Sequence, residues 1–194
     1  MTDGPSPTGR PGDFHYLGED TVYRGWRISL TEARFRGPDG AEFTRNVVRH
    51  PGAVAVVPVT DAGEVLLVRQ YRGAVDRLLL EIPAGTRDVE GEPPEETARR
   101  ELLEEVGVDA RHIRLLTPLY NSPGFCDEET LLYLATDLEP GTVDRHGVEE
   151  ENMEVVSVPL ADVDRLMAEG ELIDGQTILG LLLARQVLAA ERRD

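Results

Sequence analysis

Only one cysteine, Cys126, occurs in the 194-residue sequence, so no disulfide bond can form within the chain. The sequence also lacks any run of about 18 apolar residues, the minimum that a transmembrane helix needs. Its first residues, MTDGPSPTGRPGDF, lack the apolar core of a secretory signal. These absences predict a cytoplasmic protein with no membrane partner.

Positive charge is scarce as well. The chain has 20 Lys and Arg residues against 37 Asp and Glu residues, which gives a net charge of −17. Such a surface repels nucleic acid and anionic membranes, so neither is expected as a partner. An anionic substrate would therefore need local cations, supplied by a bound metal ion or by arginine side chains.

Three glutamates dominate the segment that follows Gly85. Glu101, Glu104 and Glu105 stand at i, i+3 and i+4 of a predicted helix, so their carboxylates share one face. The apolar residues Ala98, Leu102, Leu103 and Val106 would face the core. Clustered carboxylates indicate a hard divalent cation, which prefers oxygen ligands. The alternative is a solvated acidic helix face.

The wider spacing resembles the Nudix box, G-x5-E-x7-R-E-U-x-E-E-x-G-U. The matching identities are Gly85, Glu92, Arg100, Glu101, Glu104, Glu105 and Gly107. One departure is a six-residue interval before Glu92, which places one surplus residue in the loop. The resemblance implies an α/β (α+β) fold: an α/β/α sandwich with a mixed sheet, plus an N-terminal β-hairpin element.

The same resemblance implies roles for the box residues. Glu101, Glu104, Glu105 and the Ala84 carbonyl would bind Mg²⁺ or Mn²⁺, and Glu105 would also count among the catalytic residues. Arg100 would be structural and pair with Glu92 or another box carboxylate. Gly85 and Gly107 would shape the backbone at the two loop junctions.

Four further features resemble the ADP-ribose pyrophosphatase branch of the family. They are a hairpin before the core, Arg69–Arg72 (RQYR), Glu81–Gly85 (EIPAG) and Ser122–Glu128 (SPGFCDE). The resemblance implies hydrolysis of ADP-ribose to AMP and ribose 5-phosphate. The alternatives are a pyrophosphatase for another nucleoside diphosphate sugar and a non-catalytic ligand sensor; the intact box glutamates disfavour the sensor.

The general base and the substrate contacts are further implications of the branch. Its base lies in a late loop, here GVEEENM from Gly147 to Met153, where Glu149 is the first choice and Glu151 the second; an acidic loop without a role is the alternative. Arg72 would contact the substrate, or else be a surface arginine. If the hairpin is exchanged across a homodimer, the partner's Arg45, Arg49 and Trp26 would reach the substrate; the alternative for Trp26 is a place in the core or the dimer interface.

The expected organisation has three parts. Residues 1–14 would form a mobile tail, 15–50 an N-terminal β-hairpin and dimerisation element, and 51–194 the Nudix hydrolase domain. Within the hairpin, one strand is predicted from Thr21 to Phe35 and its partner from Glu42 to Arg49, joined by the turn signal Gly37–Gly40.

Overall fold

The structure is a computed structural model that describes residues 12–142 and 152–191. The described chain separates into two compact units. The N-terminal unit contains the residues up to Pro51 together with Ser122–Glu128, and the core unit contains Gly52–Asn121 and the residues from Glu129 onward. Within the described ranges, no helix is long and apolar enough to cross a membrane.

Ten strands and three helices account for most of the described residues. The strands are β1 (His15–Arg24), β2 (Ser29–Arg36), β3 (Glu42–Arg49), β4 (Ala53–Pro58), β5 (Glu64–Arg72), β6 (Arg77–Glu81), β7 (Ala84–Thr86), β8 (Val108–Tyr120), β9 (Glu129–Pro140) and β10 (Glu154–Pro159). The helices are α1 (Pro94–Glu101), α2 (Val163–Ala168) and α3 (Gly175–Glu191). A π-helical turn, Leu102–Val106, continues α1, and a 3-10 turn, Leu160–Asp162, precedes α2.

The N-terminal unit is built on a three-stranded antiparallel sheet in the order β1-β2-β3. The single strand predicted from Thr21 to Phe35 is therefore wrong, because the chain turns at Gly25 and returns as β2. The Gly25 N–H donates to the Ile28 carbonyl over 2.9 Å, and a Cβ at Gly25 would lie 3.0 Å from that oxygen. The predicted hairpin is present as β2 and β3, with β1 as an additional strand.

The Ser122–Glu128 loop belongs to this N-terminal unit. Val48 N–H donates to the Phe125 carbonyl over 2.7 Å, and Asp127 N–H donates to the Val48 carbonyl over 3.1 Å. The Asp127 carboxylate also accepts a hydrogen bond from the His50 N–H over 2.8 Å. The loop is thus fastened to the end of β3 by backbone and side-chain bonds.

The core unit contains a mixed sheet in the order β7-β4-β9-β8, in which β4 and β9 run parallel. Every residue of β4 is buried, because successive side chains point to opposite faces and both faces are covered. On one face, Val54 and Val56 pack with residues of α1 and the π-helical turn; on the other, Ala55 and Val57 pack with residues of α2 and α3. This arrangement confirms the predicted α/β/α layers.

A second sheet of the core unit has the order β10-β5-β6 and is antiparallel throughout. In its register Val68 lies opposite Glu81, and Arg72 lies opposite Arg77. Residues on the same face of β5 and β6 therefore come together, which places Arg72 and Gln70 beside Glu81.

Candidate active site

Gly85 and Glu101 are in unusually close approach. A Cβ atom built on Gly85 would lie 2.0 Å from the Cδ atom of Glu101 and 2.1 Å from its Oε1 atom. No side chain can occupy that space, so a glycine is required where β7 passes the end of α1. The Glu101 carboxylate consequently lies directly over the β7 backbone, and Glu101 is only 8% exposed.

Glu105 is fixed to the same strand. One of its carboxylate oxygens, Oε2, accepts a hydrogen bond from the Ala84 N–H over 3.1 Å, and Glu105 is 4% exposed. The neighbouring strand residues Ala84 and Gly85 thus each contact one of the two buried glutamates. Two buried carboxylates beside one strand form a strongly negative centre.

The helix that carries these glutamates is not regular along its whole length. α1 ends at Glu101, and the chain continues as the π-helical turn until Gly107, whose φ of 70° ends it. The expectation that Leu103 faces the core is wrong: Leu103 is 37% exposed, because the wider turn rotates it outward. Turns of this kind occur frequently at functional sites.

Arg100 neutralises part of the acidic cluster. Its guanidinium donates to Glu101 over 2.8 Å, to Glu104 over 3.0 Å and to Glu92 over 3.3 Å. Burial lowers the pKa of Arg100, but the bond to Glu92 and the charges of Glu101 and Glu104 outweigh burial, so the pKa is raised. The Arg100 bond in turn lowers the pKa of Glu92, against a smaller opposing effect of burial.

The donor set fits a hard divalent cation by its chemistry. Glu101, Glu104, Glu105 and the Ala84 carbonyl offer only oxygen atoms, which Mg²⁺ and Mn²⁺ prefer. Within the described ranges, no three His, Cys, Asp or Glu side chains already converge as a metal site would require. Two of these carboxylates, those of Glu101 and Glu104, instead share the Arg100 guanidinium.

Arg72 is held near this centre by a buried acid that the sequence did not single out. Its Nε donates to both oxygens of Glu81 over 3.0 Å, and Gln70 Nε2 donates to Glu81 over 3.0 Å. Burial is the largest single effect and lowers the pKa of Arg72, but the hydrogen bond to Glu81 and the charges of Glu81, Glu105 and Asp174 together raise it by more. The structure therefore brings Arg72 within electrostatic range of Glu105. Glu81 begins the EIPAG motif, but that motif alone does not predict its pairing with Arg72 on the adjacent strand.

The other three predicted substrate contacts lie in the N-terminal unit. Arg49 binds Glu19 over 3.0 Å and Asp127 over 2.9 Å, so its guanidinium holds β3, β1 and the loop together. Arg45 lies over the Phe43 ring, 4.7 Å from its centroid. Trp26 lies in the turn between β1 and β2 rather than in a strand, and it is 90% exposed.

The predicted general bases cannot be placed. Glu149 and Glu151, like Glu150 between them, lie in residues 143–151, outside the described residues. Their assignment remains a prediction from the family resemblance.

A hollow of about 450 Å³ opens at the edge of β8, away from the glutamates described above. Three arginines line it, and each already has a carboxylate partner. Arg99 pairs with Asp109 over 3.2 Å, Arg114 with Glu191 over 3.0 Å, and Arg111 with Glu139. The hollow contains none of the predicted site residues and offers no uncompensated charge.

Comparisons with known proteins agree on this region of the chain. The NUDIX domain family matches residues 49–178. The ADP-ribose pyrophosphatase of Mycobacterium tuberculosis is 42% identical over 176 residues, which cover 90% of this chain and 84% of that protein. The ADP-ribose pyrophosphatase of Bacillus subtilis is 37% identical over 178 residues, which cover 91% of this chain and 96% of that protein. A crystal structure described as an ADP compounds hydrolase matches with a TM-score of 0.81 and 25% identity, covering 96% of this chain and 100% of that one.

Proposed function

This chain belongs to the Nudix hydrolase family, and from that premise we propose that it hydrolyses ADP-ribose to AMP and ribose 5-phosphate. The observation that carries the proposal is the pair of buried glutamates that contact β7: Glu101 lies over Gly85, and Glu105 accepts a hydrogen bond from the Ala84 N–H. Two relatives of the chain, 42% and 37% identical to it, are ADP-ribose pyrophosphatases, which supports the proposal.

Nudix hydrolases generally depend on divalent metal ions, and we assign Mg²⁺ or Mn²⁺ to this centre. The ligands would be Glu101, Glu104, Glu105 and the Ala84 carbonyl. When bound, such an ion neutralises the charge that develops on the diphosphate oxygens. Arg100, which contacts Glu92, Glu101 and Glu104, would orient the carboxylates before the ion binds.

The reaction itself needs a water molecule to be deprotonated as it attacks phosphorus. We assign the base to Glu149, with Glu151 as the second choice. The new P–O bond forms at one phosphorus, and the bridging oxygen leaves with the other phosphate. The water's proton passes to the glutamate. Because only the bond between phosphorus and the bridging oxygen breaks, each phosphorus keeps its ester oxygen, and both products are phosphate monoesters.

Arg72 is the proposed contact to the substrate on the core unit. A guanidinium suits a phosphate or the terminal ribose, because its planar donors can bind two oxygens at once. Glu81 and Gln70 support this role by fixing the orientation of Arg72. An arginine that is 42% exposed retains access to a ligand while Glu81 holds it.

The proposed assembly is a homodimer in which the partner lends Arg45, Arg49 and Trp26 to the site. Large exposed apolar side chains on the N-terminal unit support it, namely Val22, Tyr23 and Trp26, which are 63%, 64% and 90% exposed. In this arrangement Arg49 would position the loop through Asp127, and Trp26 would lie at the interface.

A substrate panel tests the proposed function. ADP-ribose, GDP-mannose, another nucleoside diphosphate sugar, a dinucleotide and NADH are compared with Mg²⁺, with Mn²⁺ and after chelation, and the products are identified by mass spectrometry. We expect the highest kcat/KM for ADP-ribose, release of AMP, and loss of turnover with the chelator. Preference for another nucleotide sugar would replace the substrate assignment but keep the chemistry.

The cytoplasm is the proposed compartment, and cell fractionation tests it.

A further inference from the structure

Arg87 follows β7 directly and has an unsatisfied buried donor. Its Nε–H is the only buried side-chain nitrogen or oxygen of the described residues that lacks a hydrogen-bond partner. A buried donor without an acceptor destabilises the folded state, and it does so more strongly when it is charged. Such exceptions in a folded protein call for a physical explanation, and a ligand is one of the recognised ones.

A shortage of carboxylates does not explain the missing partner. The chain has a net charge of −17, and several other arginines of the core unit pair with an acid. Arg72 binds Glu81, Arg100 binds Glu92, and Arg114 binds Glu191. Arg87 differs from them because its Nε–H is buried and has no acceptor among the described residues.

The backbone beside Arg87 is shaped to admit the guanidinium. Arg87 N–H donates to the Gly52 carbonyl over 3.0 Å. A Cβ on Gly52 would lie 3.4 Å from Arg87 Nη1 and 3.3 Å from the Glu129 carbonyl, and its φ of +95° favours glycine. Gly52 thus leaves room for Arg87 at the end of the sheet.

The charge of Arg87 acts on the α1 side of that sheet. Burial is the main cause of the raised pKa of Tyr133, Glu95 adds to it, and Arg87 opposes both. Tyr133 packs in the same cluster as Ala98 and Leu102 of the box helix. The charge of Arg87 is therefore felt by a residue that packs against the box helix.

Arg87 is also close to Glu101 and Glu105 along the strand. It stands two residues after Gly85, a separation of about 7 Å in an extended chain. A nucleoside diphosphate sugar that reacts at the glutamates extends several ångströms on either side of the reacting phosphorus. Its second phosphate carries a negative charge, accepts hydrogen bonds and would lie at a distance that the Arg87 side chain can reach.

We propose that Arg87 is a substrate-binding residue whose guanidinium receives a phosphate oxygen of the nucleoside diphosphate sugar. The proposal rests on the proposed function for the identity of the ligand. Guanidinium and phosphate match in charge and geometry, and the bound oxygen fills the acceptor position that the described protein leaves open. The unsatisfied donor is thus a cost in stability that serves binding.

The test compares Arg87→Met with wild type by calorimetric binding of the α,β-methylene analogue of ADP-ribose, which cannot be hydrolysed at the bridge. We expect the Kd of the variant to rise about tenfold to a hundredfold, as for loss of a charged hydrogen bond. The melting temperature should stay equal or rise, because the buried donor is removed. Arg87→Lys should recover part of the affinity, because it keeps the charge without the planar fork.

Arg77→Met is the matched control, since Arg77 is exposed on β6 and the same charge is removed from the same unit; its Kd should not change. An unchanged Kd for Arg87→Met, or a lower melting temperature without loss of affinity, would overturn the proposal in favour of an acceptor within the chain. If Arg87→Met no longer forms the dimer, the acceptor of the Arg87 Nε–H would be assigned to a second copy of the chain. If wild type prefers another nucleotide sugar, only the proposed substrate fails, and the comparison is repeated with that sugar's methylene analogue.

Discussion

At the residue scale, the two buried glutamates are fixed in different ways. Glu101 is positioned by the absence of a side chain on Gly85, whereas Glu105 is positioned by a hydrogen bond from the Ala84 N–H. Glu104 is more exposed and is bound through Arg100. Their roles should therefore separate when they are replaced one at a time.

Glu105→Gln and Glu149→Gln should both lower kcat by at least about a hundredfold, but for different reasons. Glu105→Gln removes a charge that we assign to metal binding, so the metal concentration needed for half activity should rise. Glu149→Gln removes a base, so that concentration should stay the same. Titrating activity with Mg²⁺ separates them. If Glu151→Gln reproduces the Glu149 result and Glu149→Gln is active, the base assignment moves by two residues.

Glu19 gives a pH-dependent contribution to stability. The Arg49 hydrogen bond lowers the pKa of Glu19, more than burial raises it. A lowered pKa stabilises the fold above the usual value of 4.5, and this stabilisation is lost as the pH falls through the lower folded value. Glu19→Gln should therefore cost about 1 kcal/mol at pH 7, and the difference should vanish in acid.

Urea unfolding of wild type and Glu19→Gln between pH 3 and pH 7 measures this effect. The exposed Glu32 of the neighbouring strand is the control, since Glu32→Gln should change stability little at any of these pH values. A difference between wild type and Glu19→Gln that grows in acid would contradict the ion-pair explanation.

Some residue contacts could be predicted from the sequence and others could not. The box spacing predicted that Arg100 lies near Glu92, because both positions belong to one helix and its entry loop. It gave no information on Glu81 or Asp127, whose partners are on other strands. For Arg49, the contacts within its own unit are new, because strand register and not spacing brings Glu19 and Asp127 to it.

At the scale of elements, the irregular part of the box helix explains a wrong prediction. An i, i+3, i+4 pattern extends over too few residues to distinguish a regular turn from a π-helical one. Leu103 was therefore expected in the core and lies outside it. The apolar residues of β4 and β5 form clearer runs. β1 was not predicted as a separate strand, and only its end fell within the strand predicted from Thr21, because HYLGEDTVYR lacks an alternation of apolar and polar residues.

The packing of α3 on the sheet predicts that replacing a helix glycine with alanine destabilises the protein, which is the opposite of the usual effect. Alanine in place of a helix glycine normally stabilises by about 1 kcal/mol. At Gly180, however, a Cβ would lie 2.9 Å from Val57 Cγ2 and 3.2 Å from Ile82 Cδ1. Gly180→Ala should therefore destabilise by about 1–3 kcal/mol in urea unfolding.

Gly175→Ala, at the start of the same helix, is the control because nothing lies within 4 Å of its Cβ position. It should be neutral or slightly stabilising. Equal stability of the two variants would mean that α3 can move away from the sheet at little cost.

At the scale of the whole molecule, the role that we propose for the N-terminal unit depends on formation of a dimer. We predict that the intact chain is a dimer at micromolar concentration, and that removal of the residues before Arg49 abolishes both the dimer and the turnover of ADP-ribose. The physical reason is that three strands with exposed Val22, Tyr23 and Trp26 need a second apolar surface. Light scattering and kinetics measure the two effects.

Trp26→Ser is the milder variant, because it changes one exposed side chain and leaves every strand intact. It should weaken the dimer without a change in melting temperature at high protein concentration. A monomeric intact chain would refute the dimer, and a fully active truncated monomer would refute the shared site.

The loop that joins β8 and β9 also has a consequence for the synthesis of the protein. Ser122–Glu128 pairs with Val48, His50 and Arg49, so the N-terminal unit is assembled from two stretches that lie far apart in the sequence. A ribosome that adds about 5–20 residues per second needs several seconds to reach the second stretch after completing the first. During that interval β3 lacks its last partner, and the nascent sheet exposes an open edge at which chaperones or neighbouring nascent chains can bind.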